Sequence, residues 1–180
     1  RNVVSGNNGQ GILIGTATAT GNQVLGNAIG TAASGHAALA NGDDGIEITN
    51  GATGNRIGGT GVGEGNTIAY NGGRGVHLSS ADVTGEAILG NAVFANTGLG
   101  IDLSPLGVTG NDVGDADTGA NGLQNVPVIT SATVVATGIT VAGTIVSEQE
   151  FMLLSFFLQV KQSMPAHQCG DEPCACPRKR

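Results

Sequence analysis

Three ionisable residues recur at one fixed place in this chain. Glu47, His77 and Asp102 each stand second after a glycine, in Gly45-Ile46-Glu47-Ile48, Gly75-Val76-His77-Leu78 and Gly100-Ile101-Asp102-Leu103. Leu13 holds the same place in Gly11-Ile12-Leu13-Ile14. Two carboxylates around a histidine can orient and charge its imidazole, or ligate a metal with open coordination positions. The competing reading is a solvated face on which opposite charges stack because like charges would repel. A second group, Asn111, Asp112, Asp115, Asp117 and Asn121, lies in a Gly-rich stretch. Closely spaced Asp and Asn oxygens suit a hard cation, and Ca²⁺ takes six to eight of them. A structural Ca²⁺ loop is one expectation there, and a solvated acidic loop is the other.

The elements that must position these residues are repeats. The pattern Asn-x-x-x-Gly-[Ile/Val]-x-[Ile/Leu] occurs over 7–14, 41–48, 71–78 and 96–103. Asn and Gly tolerate positive φ, so Asn-x-x-x-Gly reads as a corner. The aliphatic alternation that follows reads as a short strand with one buried face, which points Leu13, Glu47, His77 and Asp102 outward. A second unit, Gly-Asn-x-[Val/Ile], starts at Gly21, Gly54 and Gly65, and Gly85-Glu86-Ala87-Ile88 repeats it with Glu for Asn. Sliding the chain onto itself lays Asn2 on Asn66, Asn7 on Asn71, Gly21 on Gly85 and Asn27 on Asn91. One rung cannot bury its apolar side alone, but stacked rungs can. The expectation is about five coils of about 20 residues over 1–103, with Asn22, Asn55 and Asn66 stacked at equivalent corners. The stretch 30–40 has no strand pattern and reads as an insertion.

Composition supports an elongated core. The 180 residues include 32 Gly, no Trp and 3% aromatics, which suits a thin aliphatic column better than a large globular core. The phrases 26–31 (GNAIGT), 54–60 (GNRIGGT) and 116–125 (ADTGANGLQN) carry a resemblance. On them, residues 1–147 resemble secreted bacterial proteins built from right-handed parallel β-helix repeats, within the pectin-lyase-like superfold. The resemblance implies an all-β fold, a right-handed parallel β-helix or solenoid, and an extracellular or cell-surface setting. It implies little about activity, because one fold hosts many functions.

Four segments follow. Residues 1–103 are expected to be β-helix repeats, and 104–125 an Asp/Asn/Gly-rich loop. Residues 126–147 read as two strands of an incomplete β-sandwich module. The tail 148–180 is foreign in composition: it holds all three Cys, both Met and three of the four Phe. It reads as atypical and consistent with translation out of frame. His167, Cys169, Cys174 and Cys176 match no common zinc spacing. Arg1 lies inside a repeat unit with no signal pattern before it, so a fragment of a longer array is expected.

Function follows from absences as much as from motifs. The net charge of −7 sits entirely in 1–147, which argues against nucleic acid as a partner, since a phosphate backbone needs a basic face. No stretch over 1–147 reads as a membrane span. The body carries three basic residues, Arg1, Arg56 and Arg74, and Tyr70 is the only Tyr, so no aromatic platform for sugar rings is evident. These features favour a non-catalytic scaffold, adhesive or glycan-binding, with a polysaccharide or cell-surface glycan as partner. The alternative is an enzyme (lyase, hydrolase or epimerase) on acidic polysaccharide, which needs a base and charge stabilisers converging in a groove.

Overall fold

The computed structural model describes residues 1–135 and 138–145. The tail, with its three cysteines and His167, lies outside the described residues. Eleven short strands occupy the repeat region: β1 Val3–Val4, β2 Ile12–Gly15, β3 Gln23–Val24, β4 Ala28–Ile29, β5 Ile46–Thr49, β6 Arg56–Gly58, β7 Thr67–Ala69, β8 Val76–Leu78, β9 Ala87–Leu89, β10 Ala92–Phe94 and β11 Ile101–Leu103. They form three parallel sheets, ordered β1-β4-β7-β10, β2-β5-β8-β11 and β3-β6-β9. The chain visits these sheets in strict rotation, so every third strand returns to the same sheet. The four Gly-[Ile/Val]-x-[Ile/Leu] copies share one sheet in perfect register, with Leu13, Glu47, His77 and Asp102 aligned as one rank.

The apolar positions build a single column. Ile29, Ile46, Ile48, Ile57, Ile68, Val76 and Leu78 are all fully buried and belong to one cluster. Each such side chain stabilises the fold by about 1.5–3 kcal/mol. The short strands suffice because neighbours above and below cover one another's apolar side.

Three ladders of side chains hold the corners. Asn2, Asn27, Asn66 and Asn91 form the first, each Nδ2 donating to the next Oδ1 at 2.8–3.2 Å. Asn7, Asn41, Asn71 and Asn96 form the second, with 2.8 Å links. The third runs Asn22, Asn55, Glu86, Asn121. Asn22 and Asn55 therefore stack as expected, but Asn66 belongs to another corner. The reason is that the Gly-Asn unit serves two different corners of the same coil. Ladder partners are 25 to 39 residues apart. One circuit of the three sheets thus takes more than the expected 20 residues. What repeats most often in the sequence is a corner, and three corners separate successive strands of one sheet.

The two glycines of these motifs have different causes. On the third ladder the glycine turns the corner: Gly54 and Gly85 hold φ of 65° and 69° directly before Asn55 and Glu86. In Asn-x-x-x-Gly the glycine is not at positive φ. A Cβ on Gly45 would lie 2.7 Å from the Gly75 carbonyl oxygen and 2.7 Å from Ile68 Cγ2, so close approach of the next coil demands Gly there.

Two segments close the column's flanks. The 30–40 insertion folds back on itself through an antiparallel bridge between Thr31 and Ala38. After β11 the strands stop, but the ladder does not. Residues 120–123 form a 3₁₀ turn that buries Ala120 in the core and sets Asn121 beneath Glu86. Beyond it, β12 (Val128–Val135) and β13 (Gly138–Thr144) pair antiparallel as a ribbon of almost wholly exposed residues. The two strands expected over 126–147 are therefore present as one ribbon.

Candidate functional site

The outward face of the sheet β2-β5-β8-β11 carries two parallel ranks. One is the rank Leu13, Glu47, His77, Asp102. The other is formed by the residues just before each motif glycine, Gln10, Asp44, Arg74 and Leu99. Backbone bonds align this second rank: Gly11 N donates to Asp44 O, Gly45 N to Arg74 O, and Gly75 N to Leu99 O.

The ranks pair diagonally, each coil reaching to the next. Gln10 Nε2 donates to Glu47 Oε2 at 2.6 Å. His77 Nδ1 lies 2.7 Å from Asp44 Oδ2. Arg74 Nε donates to Asp102 Oδ2 at 2.7 Å. Asp44 Oδ1 also accepts from Arg74 N at 2.6 Å and lies 3.6 Å from Arg74 Nη1. Asp102 Oδ1 accepts from Gly107 N at 3.0 Å. The Asp102 carboxylate, hydrogen-bonded to Arg74, holds the guanidinium above its ordinary value; partial burial opposes this and the nearby Asp44 adds to it.

This corrects the expectation of an exposed rank. Leu13 is 60% exposed, but His77 is 7% and Asp102 3% exposed. Asp44 and Arg74 pair with them from the neighbouring rank, and the chain after β11 turns back so that Gly107 bonds Asp102. The carboxylate on the imidazole is Asp44, neither of the two rank neighbours. An ionised carboxylate only accepts, so the ring proton sits on Nδ1 and Nε2 faces away from Asp44. That Nε2 is sealed from solvent and has no hydrogen-bond partner among the described residues. Asp44, Arg74 and Gln10 were legible in one respect: they recur at a fixed offset from the motif glycine.

Beside this array runs an open groove of about 460 Å³, lined by Gly73, Arg74, Leu99, Asp102, Leu106 and Gly107. Its charged lining is a spent ion pair, with Asp44 behind Arg74. His77 is not part of the lining.

The second candidate group divides. Asp112, Asp115 and Asp117 converge, with one oxygen from each within 4.8 Å of the others. Oδ1 of Asp112 and Oδ1 of Asp117 are buried without a hydrogen-bond partner among the described residues. Burial raises the Asp117 carboxyl above its ordinary value, and the charges of Asp112 and Asp115 raise it further. Asn111 stays outside, its amide bonded at both ends to the Val126 backbone. Asn121 is committed to the third ladder. Three carboxylate oxygens suit a hard cation in type and supply part of its shell.

No protein-family model matches the chain, and comparison with curated proteins and with solved structures finds no match. What is established is an all-β chain with parallel sheets. No helix among the described residues is long and apolar enough to cross a membrane.

Proposed function

We propose that this chain is a stretch of right-handed parallel β-helix, resembling the pectin-lyase-like superfold, that works as a non-catalytic scaffold outside the cell or at its surface and binds glycan. The observation that carries this reading is the state of its polar face. Gln10–Glu47, Asp44–His77 and Arg74–Asp102 use their functional groups on one another. A catalytic face needs an acid and a base open to substrate within hydrogen-bond reach. Here each candidate acid or base is already held by a neighbour. The cyclic use of three parallel sheets and the three amide ladders support the β-helix reading. The same reading takes Asp112, Asp115 and Asp117 as a brace for structural Ca²⁺, supported by their convergence and the two unpaired oxygens.

The alternative, an enzyme on acidic polysaccharide, has one observation in its favour. His77 Nε2 is unpaired with a carboxylate on the opposite nitrogen, the arrangement of a general base. Against it, no substrate reaches a sealed nitrogen, and the surrounding Asp44, Glu47 and Asp102 outnumber Arg74, which repels uronate chains. Incubation with polygalacturonate, alginate and neutral glucans, followed by assay for new reducing ends and unsaturated products, tests the point. The scaffold reading expects none. Turnover lost in His77→Ala would replace it with the enzyme.

A further inference from the structure

Tyr70 is alone in the sequence as a tyrosine, but the fold gives it a companion. It follows β7, and Phe94 ends β10 on the adjacent coil of the same sheet. Their rings stand edge to face, with centroids 5.7 Å apart at 81°. Both residues are half-buried. Tyr70 Oη donates to the His36 carbonyl at 3.2 Å, so the 30–40 insertion borders the pair, and His36 itself is exposed.

Tyr70 also sits where an aromatic residue is disfavoured. Its φ is 63°, in the left-handed region that a bulky side chain enters only at a cost. It immediately precedes the ladder residue Asn71. The equivalent residue before Asn7 is Gly6, at φ 75°, and the one before Asn96 is Ala95, at φ 52°. A small residue serves this corner elsewhere in the column, so the backbone does not call for Tyr. Gly6 and Ala95 share the left-handed corner, so what sets position 70 apart is its side chain, a bulky ring at a conformational cost that the small residues largely avoid.

We propose that Tyr70 and Phe94, bordered by the insertion at His36, form a stacking platform for a neutral pyranose unit of a glycan. This rests on the glycan-binding scaffold reading above and assigns it a place. An aromatic pair offers a sugar ring an electron-rich face for its polarised C–H groups, and nearby backbone supplies polar contacts at the rim. The net charge of −7 turns away anionic chains and leaves neutral ones as the partner.

The test uses the full chain and affinity electrophoresis in gels containing laminarin, mannan, hydroxyethyl cellulose or alginate. Wild type should be retarded by at least one neutral polymer and not by alginate. Tyr70→Gly installs the residue the chain uses at the corresponding corner, so it should stay folded by circular dichroism and weaken retardation by about tenfold or more. Tyr70→Phe keeps the ring and drops the bond to His36, and should retain binding. Wild type that binds no polymer overturns the glycan reading and the platform together. Wild type that binds with a folded Tyr70→Gly binding equally well overturns the platform alone.

Discussion

Glu86 is the one ladder position of twelve that carries a carboxylate, and replacing it with Gln tests how the corners are held. It is 5% exposed. Its Oε2 accepts from Asn55 N at 3.1 Å and its Oε1 from Asn55 Nδ2 at 3.0 Å. No cation pairs with it among the described residues. Burial therefore raises its carboxyl above the ordinary value, with the Asn55 bonds opposing. A raised folded-state value means the folded chain binds a proton more readily than the unfolded chain. Stability attributable to this group then falls as pH rises from the unfolded value through the folded one, and is regained on acidification. Glu86→Gln removes the buried charge. Its amide oxygen still accepts from Asn55, as Asn91 Oδ1 does from Asn66 N and Nδ2. The lost charge assistance is about 1–2 kcal/mol, and relief from desolvating an unpaired charge is as large or larger. The expected result near pH 7 is a variant equal to wild type or about 1 kcal/mol more stable, with a flatter profile at acid pH. Glu86→Ala instead leaves Asn55 N without its acceptor and Asn55 Nδ2 with only the Ala19 carbonyl, and should cost about 2–3 kcal/mol. Thermal melts from about pH 4 to about pH 8 read both. A Glu86→Gln variant destabilised by more than about 1 kcal/mol, with a pH profile parallel to wild type, would refute the reasoning.

Other perturbations probe the remaining parts. Ile46→Asp places an unpaired charge in the fully buried column and should cost several kcal/mol, about the whole stability of a domain this size, read as loss of the cooperative melt. Gly45→Ala drives a Cβ against the Gly75 carbonyl and Ile68 and should cost about 1–3 kcal/mol in denaturant melts, although φ at this site is ordinary. Added Ca²⁺ should raise the melting temperature and a chelator lower it, with the response absent in Asp115→Ala plus Asp117→Ala; a wild type indifferent to both retires the calcium brace.

The strands were legible because period-two alternation after a glycine has only one physical reading, and four copies fixed which strands share a sheet. The separation between successive strands of one sheet was not, because the Gly-Asn unit marks corners of two different ladders and the loops between corners vary. The role of Gly45 and Gly75 was misread from the sequence for a related cause. Positive φ is a local property that a residue type announces, whereas close approach of another coil appears only once the coils are stacked. Burial of His77 and Asp102 was hidden for the same reason: what covers them comes from Asp44, Arg74 and Gly107, at 33, 28 and 5 residues' distance. The Tyr70–Phe94 pair likewise exists only across adjacent coils.

The polar face has a further consequence for how the column finds its register. Its core rungs are interchangeable, since Ile, Val and Leu fill equivalent places, so apolar packing alone tolerates a slip of one coil. The diagonal pairs do not. If β5 docked on β11 in place of β8, Asp44 would face Asp102 and Arg74 would lose its partner. Like charges brought together in a half-buried setting discriminate against that arrangement more strongly than the correct pairs add to the native one. The prediction is that Arg74→Glu, which sets a third acid beside Asp44 and Asp102, damages folding fidelity beyond its cost in stability. Refolding from urea should recover a smaller fraction of native signal than Arg74→Gln recovers, even where both are well below their unfolding midpoints. Equal recovery by the two variants would reduce the ranks to ordinary surface pairs, with register set by the corners and their amide ladders alone.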